Sequence, residues 1–265
     1  MLDNAIRQCW RKVHDPGNDG FFMKKSILLS LWARSLSIQA SFNFRTLQGL
    51  GFLYALLPVL DLYGGASIQR GEKLRRHLKP FNTHPFMVPS VLGSIARLEE
   101  EGDSLSTAEL KNILMGPYAG IGDVFFWGTL RVLASVLAVL TALMGSLAAP
   151  LALLLLHNPF QLWVRIKGFL TGYGWGKQGI VFVSDLALPA AAGRIRWLSL
   201  TLLGIVAAVA AEGVALPGDG DALPGLPGFG AALILALGGC FAIRKGLSQV
   251  TLLYGTALLC MVIAI

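Results

Sequence analysis

Asn112-Ile113-Leu114-Met115-Gly116-Pro117-Tyr118-Ala119-Gly120-Ile121-Gly122-Asp123-Val124-Phe125-Phe126-Trp127-Gly128-Thr129-Leu130 sets a glycine-rich stretch and one carboxylate at the start of a long apolar run. A soluble phosphate loop would follow its glycines with Lys and Ser or Thr; here Phe125, Phe126 and Trp127 follow. An acid at the mouth of a membrane span is costly unless it is paired or lines a polar cavity. The stretch therefore reads as a membrane transport feature. Gly116, Pro117, Gly120 and Gly122 are expected to form a tight re-entrant structural loop, with Asp123 capping the following span. A cap there can also line a pathway.

The composition agrees. Of 265 residues 54% are hydrophobic and 14% charged, with mean hydropathy +0.63, whereas a soluble domain is nearer a quarter charged. An integral membrane protein is the expected class. A net charge of +7 would suggest nucleic acid in a soluble chain. Here Lys and Arg lie up to Arg131, within 165–196, or at Arg244 and Lys245, and none falls in 132–164, 197–243 or 246–265. That asymmetry sets topology, with basic segments inside, and no nucleic-acid partner is expected. Cys9, Cys240 and Cys260 have no metal or redox spacing, Cys240 and Cys260 read as small apolar residues in spans, and no disulfide framework is expected. No cofactor or metal is implied.

Residues 1–25 are polar and basic without the apolar core of a signal peptide, and are expected to stay in the cytoplasm. The section 26–122 has short, broken apolar runs at 26–32, 50–60 and 86–98, with Arg70, Lys73, Arg75, Arg76 and Lys79 between them. It reads as amphipathic helices on the cytoplasmic face or re-entrant hairpins buried in protein. The section 123–265 holds the spans: 124–146, a turn at Gly145 to Pro150, 151–164, a cytoplasmic connection over 165–196, 197–216, an acidic outer loop over 217–228, 229–243, and 247–265. The expected fold is an all-α integral membrane protein with about five transmembrane helices, N-terminus in and C-terminus out.

Several polar groups could carry chemistry. A helix over 26–48 would align Ser35, Gln39 and Asn43 on one stripe. Amides and hydroxyls that both donate and accept suit sugar hydroxyls; the stripe also suits the solvated face of an interfacial helix. In Phe81-Asn82-Thr83-His84-Pro85 the proline holds His84 extended, which can splay Asn82 and His84 toward a pocket, or leave His84 a structural hydrogen-bonded residue. Glu99, Glu100 and Glu101 either cap a solvated segment or send one carboxylate to a sugar hydroxyl or a basic partner. Gly172-Tyr173-Gly174-Trp175-Gly176 reads as a flexible aromatic-glycine segment at the interface. No nucleophile–base pair or metal trio is visible, so the chain is not expected to be an enzyme by itself.

These residues resemble a known family. Arg34-Ser35…Gln39…Phe42-Asn43-Phe44…Gln48…Gly51-Phe52, then Arg76-His77-Leu78…Phe81-Asn82-Thr83-His84-Pro85-Phe86, Leu98-Glu99-Glu100, Lys111…Leu114-Met115-Gly116-Pro117…Ala119-Gly120-Ile121-Gly122-Asp123…Phe126-Trp127-Gly128-Thr129, Phe160…Arg165 and Gly172-Tyr173…Gly176 follow in order. The pattern is similar to the IID membrane subunit of the mannose-fructose-sorbose family of the bacterial sugar phosphotransferase system. The resemblance implies a multi-pass protein of the bacterial cytoplasmic (inner) membrane. Its partner would be a IIC subunit, with the two binding and translocating a hexose in a trimer of IIC–IID pairs. Cytoplasmic IIA and IIB carry the phosphoryl group, so no phosphohistidine is expected here. Gln39, Asn43, Asn82, Thr83, Glu99 and Asp123 are the candidate sugar-facing groups. The family usually follows the asparagine and aromatic with Glu-Arg, where this chain has Arg45-Thr46; Tyr118 replaces a leucine, Val124 a proline, and the outer loop is short. Those departures motivate the alternative of a transport-deficient scaffold or sensor retained for regulation.

Overall fold

A computed structural model describes residues 23–212 and the scattered positions 234, 237–238, 241–242, 244–248, 250–252, 254–255 and 258. The first 22 residues of the expected N-terminal segment 1–25, the outer loop over 217–228, the last residues of the 197–216 span, most of the spans 229–243 and 247–265, and all three cysteines lie outside the described residues.

Among the described residues the regular structure is helical. The chain runs through α1 (Lys25–Ser35), α2 (Gly49–Tyr63), α3 (Ser67–His77), α4 (Val88–Glu100) and α5 (Ser104–Gly122). A π-helical stretch (Asp123–Leu130) leads into α6 (Arg131–Leu143), followed by α7 (Ala149–Trp175), a 3-10 turn (Gly176–Gly179), α8 (Ile180–Asp185) and α9 (Leu188–Glu212). Two helical stretches, Leu105–Leu143 and Val181–Ala207, are long and apolar enough to cross a membrane. Many large apolar side chains of α6, α7 and α9 are exposed, among them Val139, Leu143, Leu151, Leu155, Leu200 and Leu203, as on helices that face lipid.

The chain divides into two compact units, Met1–Ser135 with Pro150–Leu198, and Val136–Ala149 with Ser199–Ile265. In the second, Gly145 at φ +74 makes the expected turn after α6, a conformation that glycine adopts without penalty. The first unit holds every candidate residue.

The core of the first unit lies between α2 and α4. Phe52, Ala55, Leu56, Val59 and Leu60 of α2 are fully buried, as are Val88, Val91, Leu92, Ile95 and Ala96 of α4. Pro58 inside α2 has no N–H for the Tyr54 carbonyl one turn back; Arg34 Nη1 donates to that carbonyl instead, at 3.2 Å. The short apolar runs of 26–122 are thus helices of a packed core. A Cβ at Gly93 would run into the Phe169 carbonyl, and one at Gly172 into the Ser90 carbonyl. Glycine at both crossing points lets α4 and α7 backbones touch.

Three expectations need correction. The helix expected over 26–48 stops at Ser35. Ser35 Oγ donates back to the Trp32 carbonyl at 2.5 Å, and 36–41 continue as tight turns because Gly51 seats α2 against the Ile38 carbonyl. Ser35, Gln39 and Asn43 therefore share no helical stripe. Second, Gly116, Pro117, Gly120 and Gly122 form no loop: they continue α5 into the π-helical stretch. Leu114, Tyr118, Gly122, Phe125, Phe126 and Thr129 recur on its buried side, and that helical period decides the backbone. Asp123 is accordingly a residue within a helix; the N-cap of α5 is Asp103, whose side chain accepts the Ser106 N–H at 3.1 Å. Third, 172–176 is no flexible segment, since Tyr173 lies in α7 and is 1% exposed.

Candidate functional site

Two loops and one helix junction bring the sequence motifs together. In the first loop Asn43 folds the chain back on itself. Its Oδ1 accepts the backbone N–H groups of Arg45 at 3.0 Å and Thr46 at 2.8 Å, and its Nδ2 donates to Thr46 Oγ1 at 2.8 Å. This is the local capping that favours Asn in turns. Leu47, at φ +54, closes the loop, and Phe42 and Phe44 project outward, Phe44 fully exposed. Thr46 thus holds the turn through hydrogen bonds with Asn43.

The second loop, 81–87, is tied to the first. The Phe81 N–H donates to the Thr46 carbonyl at 3.2 Å and the Gln48 N–H to the Phe81 carbonyl at 2.8 Å. The Gln48 side chain then grips Thr83: Nε2 donates to the Thr83 carbonyl at 2.8 Å and Oε1 accepts the Thr83 N–H at 3.0 Å. Held at Phe81 and Thr83, both buried, the chain presents Asn82 outward. His84 is buried, and its Nδ1 accepts the Phe86 N–H at 3.2 Å.

The junction is at Gly122. A Cβ there would collide with the His84 ring, so glycine lets the second loop lie against α5. His84 stacks on Phe126 at 5.2 Å and meets Trp127 edge-on at 4.7 Å. Asp123, exposed, is the next residue along, and among the described residues its carboxylate has no ion pair. The loop that carries Asn82 and Thr83 thus packs through His84 beside the residue preceding Asp123, and the Asn43 turn is tied to that loop through Thr46. Gln39 is exposed in the turns after α1, and no contact places it with the others.

Glu99 stands elsewhere, at the centre of an ion cluster. It is 1% exposed, with Arg76 at 2.5 Å, His77 Nε2 at 2.9 Å and Lys73 at 3.1 Å. Burial opposes its ionisation, but the hydrogen bond from His77 and the cations Lys73 and Arg76 outweigh it and hold the carboxyl at about 2. Burial pushes His77 below its ordinary value, and its Nε2–H faces the carboxylate at 2.9 Å. Lys111 joins below, donating to the His77 carbonyl at 2.7 Å and lying over the Phe52 and Phe81 rings at 4.8 and 5.2 Å. Glu100 points the other way: Tyr173 donates to it at 2.7 Å and Arg97 pairs with it at 3.1 Å. The Tyr173 hydroxyl also accepts the Met23 N–H at 2.9 Å. Gln48, His77 and Tyr173 are the structural keys that spacing alone does not mark, because each acts on backbone or on a partner distant in sequence.

Two helical stretches long and apolar enough to cross a membrane, together with a buried ionic cluster, describe a membrane protein. The sequence matches the PTS system mannose/fructose/sorbose family IID component over residues 23–215, and the chain belongs to that family. It is 36% identical over 171 residues to the fructose permease IID component of Bacillus subtilis, covering 62% of this chain and 61% of that one. It is equally identical to the mannose-specific EIID component of Escherichia coli, and 34% identical over 165 residues to the sorbose-specific EIID component of Klebsiella pneumoniae. The alignments span about three fifths of the length of these relatives. A solved membrane protein superimposes with TM-score 0.71 at 27% identity over 91% of this chain and 97% of its own. A chain of the mannose transporter ManYZ in complex with microcin E492 superimposes with TM-score 0.55, also at 27% identity, over 91% of this chain and 96% of its own.

Proposed function

We propose that this chain is the IID half of a sugar permease. With a IIC subunit it binds a hexose and carries it across the cytoplasmic membrane, in a trimer of IIC–IID pairs. IIA and IIB phosphorylate the sugar as it emerges. The carrying observation is that Gly122 lets the loop bearing Asn82 and Thr83 pack through His84 against the helix bearing Asp123. An unpaired carboxylate on a spanning helix calls for a polar partner, and sugar hydroxyls supply one. Asn43 adjoins this loop through Thr46 and Gln39 is exposed in the turns after α1, while Glu99 serves from the buried ion cluster that fixes α3 on α4. Each neutral hydrogen bond is worth about 0.5–1.5 kcal/mol. No group here is catalytic. The membrane is crossed about five times, with the N-terminus inside and the C-terminus outside, as the basic segments dictate.

The turn at Asn43 bears on the alternative of a transport-deficient scaffold. Thr46 bonds Asn43 in a closed loop, so replacing the Glu-Arg pair does not unmake the turn, which favours transport. Uptake of labelled hexose by cells carrying the complete permease tests this. Asp123→Asn should abolish uptake with membrane insertion intact; wild-type uptake at normal expression would remove Asp123 from the mechanism.

A further inference from the structure

His84, His157, Gln161 and Arg165 each bury a polar side-chain atom with no hydrogen-bond partner among the described residues: Nε2, Nδ1, Oε1 and Nε respectively. A buried polar atom left unmatched costs about 1–3 kcal/mol, so four together call for an occupant. Three of them stand at four-residue steps on α7 and share one face. Phe86 gathers them: its ring lies 4.8 Å from His84 and 5.8 Å from His157, and the Arg165 guanidinium sits 4.5 Å above it. Gln161, 9% exposed, lies one turn from both His157 and Arg165.

The atoms specify the occupant. His84 Nδ1 already accepts the Phe86 N–H, so its proton sits on Nε2 and points at nothing. Arg165 Nε is a donor by nature, Gln161 Oε1 an acceptor, and His157 Nδ1 serves as either. A carboxylate or phosphate would answer the donors and leave Gln161 Oε1 unmatched. Hydroxyls answer both kinds. Phe86, Phe126 and Trp127 supply aromatic faces beside them, the surface that the C–H face of a pyranose covers. Trp127, 37% exposed, and the exposed Arg131 form the open side.

We infer that His84, Gln161 and Arg165, with His157 and Trp127 at the rim, form a carbohydrate-hydroxyl subsite that extends the Asn82–Asp123 surface along α7. The inference rests on the sugar-binding reading above, and names a part of the site outside the residues that reading uses. The ligand class is a neutral polyhydroxylated ring, and the subsite reads one hydroxyl by donation from His84 and acceptance at Gln161.

The test is a cycle of hydroxyl deletions on the intact complex of this chain with its IIC partner. Mannose, fructose and sorbose are titrated first, then the monodeoxy analogues of whichever binds. In wild type one deoxy analogue should bind about fivefold to tenfold more weakly, the value of one hydrogen bond. In His84→Phe, which keeps a ring on Phe126, and in Gln161→Met, the same deletion should cost less than twofold. If His84→Phe fails to assemble, Gln161→Met alone carries the comparison. Equal losses in wild type and variants for every analogue overturn the inference and leave the transport reading standing, the buried atoms then holding water. An intact wild-type complex that binds no hexose defeats the transport reading and, with it, the inference.

Discussion

Gln48 holds both edges of Thr83, donating to its carbonyl at 2.8 Å and accepting its N–H at 3.0 Å. One buried amide side chain thus stands in for a strand partner and fixes the peptide beside Asn82. Gln48→Leu removes both bonds and leaves two buried backbone groups unmatched, a loss of about 2–6 kcal/mol at 1–3 per group. The purified protein should melt markedly lower. An unchanged melting temperature would mean that the loop is held by its apolar contacts.

Gly122→Ala sets a Cβ against the His84 ring, whereas a Cβ at Gly116 or Gly120 meets nothing. Gly122→Ala should destabilise by about 1–3 kcal/mol. Gly116→Ala and Gly120→Ala should leave the isolated chain as stable as wild type or about 0.5–1 kcal/mol better. Thermal melts of the three variants check the ordering. Loss of IIC binding in the tolerated pair alone would mark the open glycine face as the partner surface.

The ion cluster predicts a pH profile. His77, depressed by burial, contributes stability that is present above its unfolded value of 6.5 and falls away as pH drops below it. Glu99, held at about 2 against an ordinary 4.5, contributes stability present above 4.5 and lost as pH falls toward 2. The melting temperature should therefore decline as pH falls below 6.5, and decline further below 4.5. Glu99→Gln should lower stability at pH 7 and flatten the lower limb. A melting temperature that rises on acidification would contradict the assignment.

Tyr173→Phe should cost about 1–3 kcal/mol, since its hydroxyl joins Glu100 to the Met23 backbone. The same change at Tyr54, exposed and bound to Arg34 through its ring and carbonyl, should be nearly silent. Equal melting temperatures for the two variants would remove the Tyr173 hydroxyl from the α4–α7 contact.

The helical class was legible from composition, and the apolar runs at 26–32, 50–60 and 86–98 marked α1, α2 and α4 because local hydrophobicity was enough. The junction of 81–87 with 122–127 was not legible. It depends on a missing side chain at Gly122, and absence of atoms leaves no periodic signal. Glycine and proline at 116–122 favoured a loop by propensity, yet the buried face from Leu114 to Thr129 won, as tertiary packing overrides weak local preference. The break after Ser35 was hidden for a related reason: it is imposed by α2, whose Gly51 seats against the Ile38 carbonyl, while the residues around Ser35 carry no stop signal of their own. Glu99 could be picked out as a carboxylate of interest; that it would meet Lys73, Arg76 and His77 could not, since α3 and α4 are brought together only in the folded core.

The most direct test of the account is equilibrium binding of hexoses to the purified complex of this chain with its IIC partner, wild type beside Asp123→Asn. Selective binding of one sugar by wild type, lost in the variant while the complex stays assembled, is the predicted result. An assembled wild-type complex that binds no hexose would contradict it and favour a subunit retained for regulation.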